Sequence, residues 1–473
     1  VNHDQRLIDQ VRPPGWRNPE PAPLYDLVVI GGGTAGLVCA AGAAGLGARV
    51  AIIERNRLGG DCLNTGCVPS KALLRAARAV HAARAATDAG VGMAPQVDFA
   101  AVMEYVRARR ADLAHHDSAE RLTSLGVHVF LAQASFTGPT RVAADGRELR
   151  FRRAVVATGS RPTIPSIPGL SGLPYLTSEN VFDLRAQPRS LLVIGGGPIG
   201  CELGQAFALL GTAVTLVESE PRLLPREDRD AAAIVTRRLT ADGVRVRTGE
   251  VVGTQDLQTD AVLVAVGRSP NIEGLNLDAA GIVHSERGVT VDDRLRTANH
   301  RIFAAGDICS SYQFTHAADA MARIVIQNAL FHGRRRASAL VIPWATYTFP
   351  EVAHVGAPPD EASRLGAETL TVPLGEVDRA VIDAASDGFL RIHHRGGRVI
   401  AATLVAQHAS ELIGQIASLV RRGGSVAEFS GDIFPYPTVA DVLRKAGDAY
   451  RRTQLTPRIR SLLGKYFAVT RRL

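Results

Sequence analysis

The sequence predicts an α/β chain that uses one strand–turn–helix–strand unit twice and closes with a smaller α+β domain. Three observations carry this. Tyr25 to Ile30 is an apolar, β-branched run leading into Gly31-x-Gly33-x-x-Gly36 and an Ala-rich helical stretch, and Ala48 to Ile53 is a second strand ending in Glu54. Leu191 to Ile194, Gly195-x-Gly197-x-x-Gly200, the helical Gln205 to Leu210 and the strand Val214 to Val217, ending in Glu218, repeat the plan. Gly31 and Gly195, Gly47 and Gly211, and Glu54 and Glu218 are each 164 positions apart, so helix length and strand end recur along with the glycines.

The glycines allow a tight turn and close approach of backbone to a pyrophosphate. The helix N-terminus faces that anion, and the carboxylate at the second strand's end can accept from ribose hydroxyls. The two units are therefore expected to be two Rossmann-like dinucleotide-binding domains, one for each of two dinucleotides. Leu27 to Ala48 is uncharged and long enough to suggest a membrane span, but Gly31-Gly32-Gly33 early in it fits a nucleotide turn better.

In chain order, residues 1–24 form an extension with Asp4, Arg6, Asp9 and Arg12, several prolines and no apolar stretch of signal-peptide type. After the first unit comes Gly59-Gly60-Asp61-Cys62-Leu63-Asn64-Thr65-Gly66-Cys67-Val68-Pro69-Ser70-Lys71, followed by an Ala/Leu/Arg run that reads as helix. Pro69 suits a first helical turn, which places Cys67 near the helix N-terminus, where the dipole lowers a thiol's pKa. Lys71 falls on the same face and adds a cation. The residues alone fit a redox pair, two inert cysteines, or half of a zinc site; a structural zinc would need two further ligands, and the chain has no second Cys pair.

Phe99 to Leu125 reads as one polar-faced helix with a solvated His115-His116, and Val127 to Val142 as short strands. Ala154 to Ser160 reads as a strand ending in a small-residue turn (Thr158, Gly159), and Pro162 to Pro174 as a linker. Ala261 to Gly267 is a comparable strand and turn in the second unit. Ile302 to Asp307 ends in Gly306-Asp307, a carboxylate at a strand's C-terminal end, where ligands bind in open α/β sheets. From Ile342 the character changes: strands Thr371–Val381, Gly388–His393 and Arg398–Val405 and helices Ala409–Arg421 and Thr438–Gly447 suggest an antiparallel α+β domain. Its His354, His393, His394 and His408 have no ligand spacing and read as surface or satisfied. The expected domains are 25–160 with 285–341, 161–284, and 342–454, with a tail over 455–473.

Five cysteines in a chain of 473 residues, three of them (Cys39, Cys201, Cys309) in apolar or Gly-rich surroundings, fit a reducing, cytoplasmic setting. The net charge of +8 is concentrated: Arg451, Arg452, Arg458, Arg460, Lys465, Arg471 and Arg472 follow Asp448 with no acidic residue. The near-neutral body argues against nucleic-acid binding. In the tail, Ile459, Leu462, Leu463, Tyr466 and Phe467 stand at helical spacing among the cations, a pattern for an anionic membrane surface, a partner, or packing on its own body.

Taken together, the two fingerprints, Gly59-Gly60-x-Cys62-x4-Cys67-Val68-Pro69-Ser70-Lys71, Ala157-Thr158-Gly159, Gly306-Asp307 and Pro350-Glu351 resemble the flavoprotein disulfide reductases: dihydrolipoamide dehydrogenase, glutathione reductase and mercuric reductase. The resemblance covers about residues 25 to 450. It implies FAD on the first fingerprint, a nicotinamide dinucleotide on the second, and a homodimer whose C-terminal domain completes the partner's site. It further implies that Asp307 holds the ribityl chain, that Cys67 faces the flavin and Cys62 the acceptor, and that Lys71 and Glu202 pair beside the isoalloxazine. Glu218 would repel a 2′-phosphate, so NADH is expected over NADPH, with Arg222 the only nearby residue favouring the latter.

Two departures bear on the acceptor. Dihydrolipoamide dehydrogenases and glutathione reductases carry His-Pro-Thr-x-x-Glu near the C-terminus, whereas here Tyr436 and Asp441 take the His and Glu positions. A phenol, with an ordinary pKa of about 10, is a poor base near neutrality. Mercuric reductases resemble this chain in a Phe-Pro-Tyr segment and in Pro174-Tyr175-Leu176-Thr177-Ser178; a soft metal ion needs thiolates and no base. Against that reading, the family's C-terminal cysteine pair and N-terminal metal-binding module are missing from this sequence, and Asp61 replaces the usual Thr, a carboxylate expected to raise the pKa of Cys62. The expectation is a mercuric-reductase-like enzyme acting on a metal ion or small disulfide-type acceptor. The alternatives are a dihydrolipoamide-dehydrogenase-like enzyme and a low-turnover flavoprotein that binds a membrane surface or partner.

Overall fold

The computed structural model describes residues 2–92 and 95–471. Val1, Arg472 and Leu473, the outermost positions of the two expected end segments, lie outside the described residues. Contacts divide the chain into two units: the chain up to Pro221 together with Asp242–Leu340, and Arg222–Ala241 together with the chain from Val341 onward.

In the first unit a sheet runs in the order His128–Leu131, Val50–Glu54, Tyr25–Ile30, Arg147–Val156, Arg141–Ala144, Ala134–Gly138, with Ile302–Ala304 also pairing to Arg147–Val156. Tyr25–Ile30 is parallel to both neighbours. Its Leu27 and Val29 enter one apolar cluster and its Val28 and Ile30 another, so both faces are covered. That is why the strand reads as a continuous apolar run without alternation. The second fingerprint sits in a four-stranded parallel sheet, Arg245–Thr248, Ala213–Glu218, Ser190–Ile194, Ala261–Val264. An antiparallel ribbon of Ser160–Pro162 and Arg268–Pro270 ties the chain leaving the first fold to the chain leaving the second.

Two local expectations change. The predicted helix over 99–125 is broken into Phe99–Leu113, a 3₁₀ turn Ala114–Asp117 and Ala119–Ser124, because Ser118 caps the second piece by accepting from the Arg121 N–H at 3.1 Å. His115 and His116 are exposed on that turn, as expected. Residues His3–Val11, predicted only as an extension, form a helix that buries Leu7 and Val11 in the first unit's core. Its Asp4 pairs with the buried Arg110 at 3.1 Å.

The second unit has an antiparallel sheet ordered Trp344–Thr346, Glu351–Gly356, Arg398–Ala406, Phe389–Arg395, Glu368–Pro373, with helices Ala409–Arg422 and Asp441–Thr453 around its core. The strand expected over Thr371–Val381 stops at Pro373, and Asp378–Ile382 is helical instead. His354 is fully buried and satisfied, within 2.8 Å of Thr403 Oγ1 and 2.9 Å of the Ala357 carbonyl. Among the described residues no cluster of His, Cys, Asp and Glu could hold a metal ion, and no helix is long and apolar enough to cross a membrane.

Candidate active site

The cysteine segment is shaped by backbone that only glycine accommodates. Gly59 and Gly60 have φ of 90° and 53°, and a Cβ on Gly60 would meet the Gly33 Cα at 2.6 Å. This contact lays the segment against the first fingerprint. The short helix Gly60–Asn64 is pinned by the Asn64 side chain, which donates to the Leu58 and Gly60 carbonyls at 3.0 and 2.8 Å, while Arg110 donates to the Asn64 carbonyl at 3.0 Å. The next helix, Cys67–Ala85, begins at Cys67 itself, with Pro69 in its first turn.

Cys62 and Cys67 come together as thiols in hydrogen-bond contact. The bond from Cys62 is the main cause that lowers Cys67 to about 6; the Thr315 hydroxyl, 3.1 Å from its Sγ, and the Lys71 cation act the same way against burial. Cys62 is pushed up, first by giving its proton to that bond and then by burial. Lys71 Nζ donates to Glu202 Oε2 at 2.8 Å, with the Glu202 side chain buried and Lys71 partly open. The other three thiols are pushed up by burial, Cys39 and Cys309 to about 12.

Asp61 is engaged in an ion pair. Its carboxylate takes the Nη2 of Arg268, whose Nε donates to Ser160 Oγ at 2.7 Å. Ser160 Oγ in turn donates to Asp307 Oδ2 at 2.6 Å. Burial raises the pKa of Asp307, against the Ser160 bond and the Arg268 charge. Among the causes that raise Cys62 is the charge of Asp117. Thr315, Arg268, Ser160 and Asp117 were all missed in the sequence. The discernible signal for Thr315 was a hydroxyl at the start of an Ala-rich helix soon after Gly306-Asp307, now seen as Thr315–Leu330.

The fingerprints are built alike. The Gly32 N–H donates to Glu54 at 2.6 Å and the Gly196 N–H to Glu218 at 2.6 Å. Gly31 and Gly195 both have φ of 107°, and a Cβ on either would strike the carbonyl of Ala157 or Ala265. Thr158 and Gly159 are tied to the second fold's exit through Asn271, which donates to the Thr158 carbonyl at 2.9 Å and whose N–H donates to that of Gly159 at 3.0 Å. Gly267 (φ 137°) and Gly306 (φ 82°) occupy the left-handed region at the corresponding strand ends.

The remaining predicted residues have the following surroundings. Tyr175 packs on the apolar core of the second fold. In the second unit, Tyr436 is exposed and donates its hydroxyl to Asp378 Oδ2 at 2.9 Å, which raises the phenol's pKa. Asp441 is paired instead with Arg444 at 2.7 Å. Arg222 donates to the carbonyls of Leu224, Pro225 and Glu227 in its own loop.

Residues 25–322 match a family described as pyridine nucleotide-disulphide oxidoreductase, and residues 342–446 match its dimerisation domain. A mercuric reductase of Bacillus cereus is 33% identical over 89% of this chain and 71% of its own length. A dihydrolipoyl dehydrogenase of Thermus scotoductus is 32% identical over 90% of this chain and 98% of its own. Among solved structures, the HOCl-induced flavoprotein disulfide reductase RclA of Escherichia coli superposes with a TM-score of 0.80 at 27% identity, covering 89% of this chain and 99% of that one.

Proposed function

This chain belongs to the pyridine nucleotide-disulphide oxidoreductases, FAD-dependent enzymes with NAD(P)H as electron donor, and from that premise we propose that it uses NADH to reduce a soft metal ion or small disulfide-type acceptor through Cys62 and Cys67. The first fingerprint fits FAD on its own geometry: a Cβ on Gly36 would lie 1.8 Å from the Gly31 carbonyl, so the turn offers bare backbone, and Asp307 is a largely buried carboxyl at a strand end. Gly31, Gly33, Gly36, Glu54, Thr158, Gly159, Gly306 and Asp307 would hold it. When bound, FAD supplies the two-electron carrier between a nicotinamide and a disulfide.

This chain's residues do the rest. Gly195, Gly197, Gly200, Glu218 and Gly267 bind the nicotinamide dinucleotide. Glu218 disfavours a 2′-phosphate, and Arg222, already donating to three carbonyls, is not disposed to attract one. The reduced cysteine pair keeps one proton on Cys62 and a negative charge on Cys67, stabilised by Thr315 and Lys71, with Glu202 fixing Lys71. Thiolates at that position can coordinate a soft metal ion or attack a sulfur–sulfur bond. The observation that carries the reading is Cys67 at the first position of its helix, bracketed by Cys62, Thr315 and Lys71–Glu202.

The metal reading is favoured by Tyr436, whose phenol is held protonated by Asp378 and cannot serve as a base near neutrality. The match to the dimerisation domain supports a homodimer, in which this segment and Asp441 would face the partner's cysteines. The dihydrolipoyl dehydrogenase relatives support the second reading, oxidation of a small dithiol. One acceptor panel separates them: mercuric ion with excess thiol, dihydrolipoamide and oxidised glutathione, each with NADH and with NADPH. Metal turnover should dominate, since it draws on the thiolates and needs no base at position 436. Dithiol turnover that exceeds it rejects the metal reading, and a Tyr436→Phe variant with unchanged metal turnover removes Tyr436 from the argument for it. Two-electron reduction that yields no long-wavelength charge-transfer band, or a band that persists in Cys67→Ser, rejects both in favour of a low-turnover flavoprotein.

A further inference from the structure

Pro457–Thr470 is a helix with Thr456 as its cap, and every residue from Arg451 to Arg471 is exposed. Leu462, Tyr466 and Val469 each expose more than half of their surface (65%, 61% and 63%). The matched dimerisation domain ends at residue 446, before this helix begins. An apolar face left open in this way needs an occupant.

At about 3.6 residues per turn, Ile459, Leu462, Leu463, Tyr466, Phe467 and Val469 fall within one arc of about 160°. Thr470 lies within the same arc, with its hydroxyl donating to the Tyr466 carbonyl at 3.2 Å. Arg458 and Lys465 line one edge of the arc and Arg460 and Arg471 the other. Ser461, Gly464 and Ala468 form the back. Two flanking rows of long cations let the apolar face enter the acyl boundary while the charged ends reach up to headgroups on both sides. Tyr466 and Phe467 are aromatic side chains of the kind favoured at that depth. No acidic residue follows Asp448, and Arg451 and Arg452 add to the field. A second copy packed face to face would set these cationic rows against one another, an arrangement that like charge opposes.

We propose that Pro457–Thr470 lies in the interface of an anionic lipid bilayer, holding the enzyme at a membrane surface. The test is co-sedimentation of the full-length FAD-loaded protein with phosphatidylcholine vesicles or with vesicles containing about 30% phosphatidylglycerol, each at about 0.05 M and about 0.5 M salt. Binding to the anionic vesicles should exceed that to neutral ones at least about tenfold and collapse at high salt. Arg460→Gln with Lys465→Gln should weaken it on the order of twentyfold at low salt, since each surface cation contributes about fivefold. Leu462→Asp with Phe467→Asp should abolish it, with flavin content and NADH oxidation unchanged in every variant. Equal binding to both vesicle types, no binding, or a helix-dependent rise in oligomeric state without vesicle binding would each overturn the proposal, the last in favour of a protein partner.

Discussion

The two nucleotide folds match down to single hydrogen bonds and differ in what lies over the turn. In the first, Gly33 faces the Gly60 Cα, 3.8 Å from where its Cβ would be, so the cysteine segment lies directly against the fingerprint. In the second, a Cβ on Gly197 would meet nothing within 4 Å. A covered turn suits a cofactor that stays and shares its site with Cys62 and Cys67. An open turn suits a dinucleotide that arrives and leaves. Under the function proposed above, the same scaffold would serve two roles through one segment of about a dozen residues that follows the first copy's carboxylate and has no counterpart after the second's.

Removing the chemistry from the covered fold gives the largest contrast. Cys67→Ser should cut NADH-dependent acceptor reduction by about 10³-fold or more while both dinucleotides still bind. Turnover within tenfold of the parent would mean that the segment covers the turn without taking part in the reaction.

Next is the covering contact itself. Gly60→Ala must place a methyl 2.6 Å from the Gly33 Cα at a φ of 53°, and is expected to cost about 2–3 kcal/mol and release flavin on dialysis. Gly197→Ala meets open space and should cost no more than about 1 kcal/mol, with any loss confined to nicotinamide binding. Thermal melts with flavin fluorescence check both. Equal losses would erase the distinction between covered and open.

What the sequence revealed follows the same division. The duplicated fold was readable because its glycines, helix and terminal carboxylate are local in sequence and set by backbone sterics. Cys67 at a helix start was readable from Pro69 for the same reason. Thr315, Ser160 and Arg268 were not, since they reach the site from segments about 100 to 250 positions from the cysteines and carry no spacing signal. The counter-ion of Asp61 was hidden on the same ground: Arg268 belongs to the strand leaving the other fold. In the second unit, Pro373 ended a strand that apolar content alone had extended.

The mirrored carboxylates should give a smaller effect. Glu218→Gln weakens a charge-assisted acceptor and should raise the KM for NADH about tenfold while leaving flavin content intact; Glu54→Gln should loosen flavin and spare NADH. Loss of flavin from both variants would show that the two turns are not independent.

The finest test is the proton on Cys67, because the covered fold places a cation where the second has none of this chemistry. With its pKa held at about 6, the Cys67 thiol of the reduced enzyme is ionised above that pH and protonated below it. Alkylation by iodoacetamide should therefore stay near its plateau at neutral pH and fall about tenfold per unit on the acid side, with Cys39, Cys201 and Cys309 unreactive because burial keeps them protonated. Lys71→Met removes a lowering charge and leaves the opposing Glu202, so the inflection should move up by about one unit. An inflection that does not move would assign the depression to the hydrogen bonds from Cys62 and Thr315 alone, and Lys71 would then serve Glu202 rather than the thiolate.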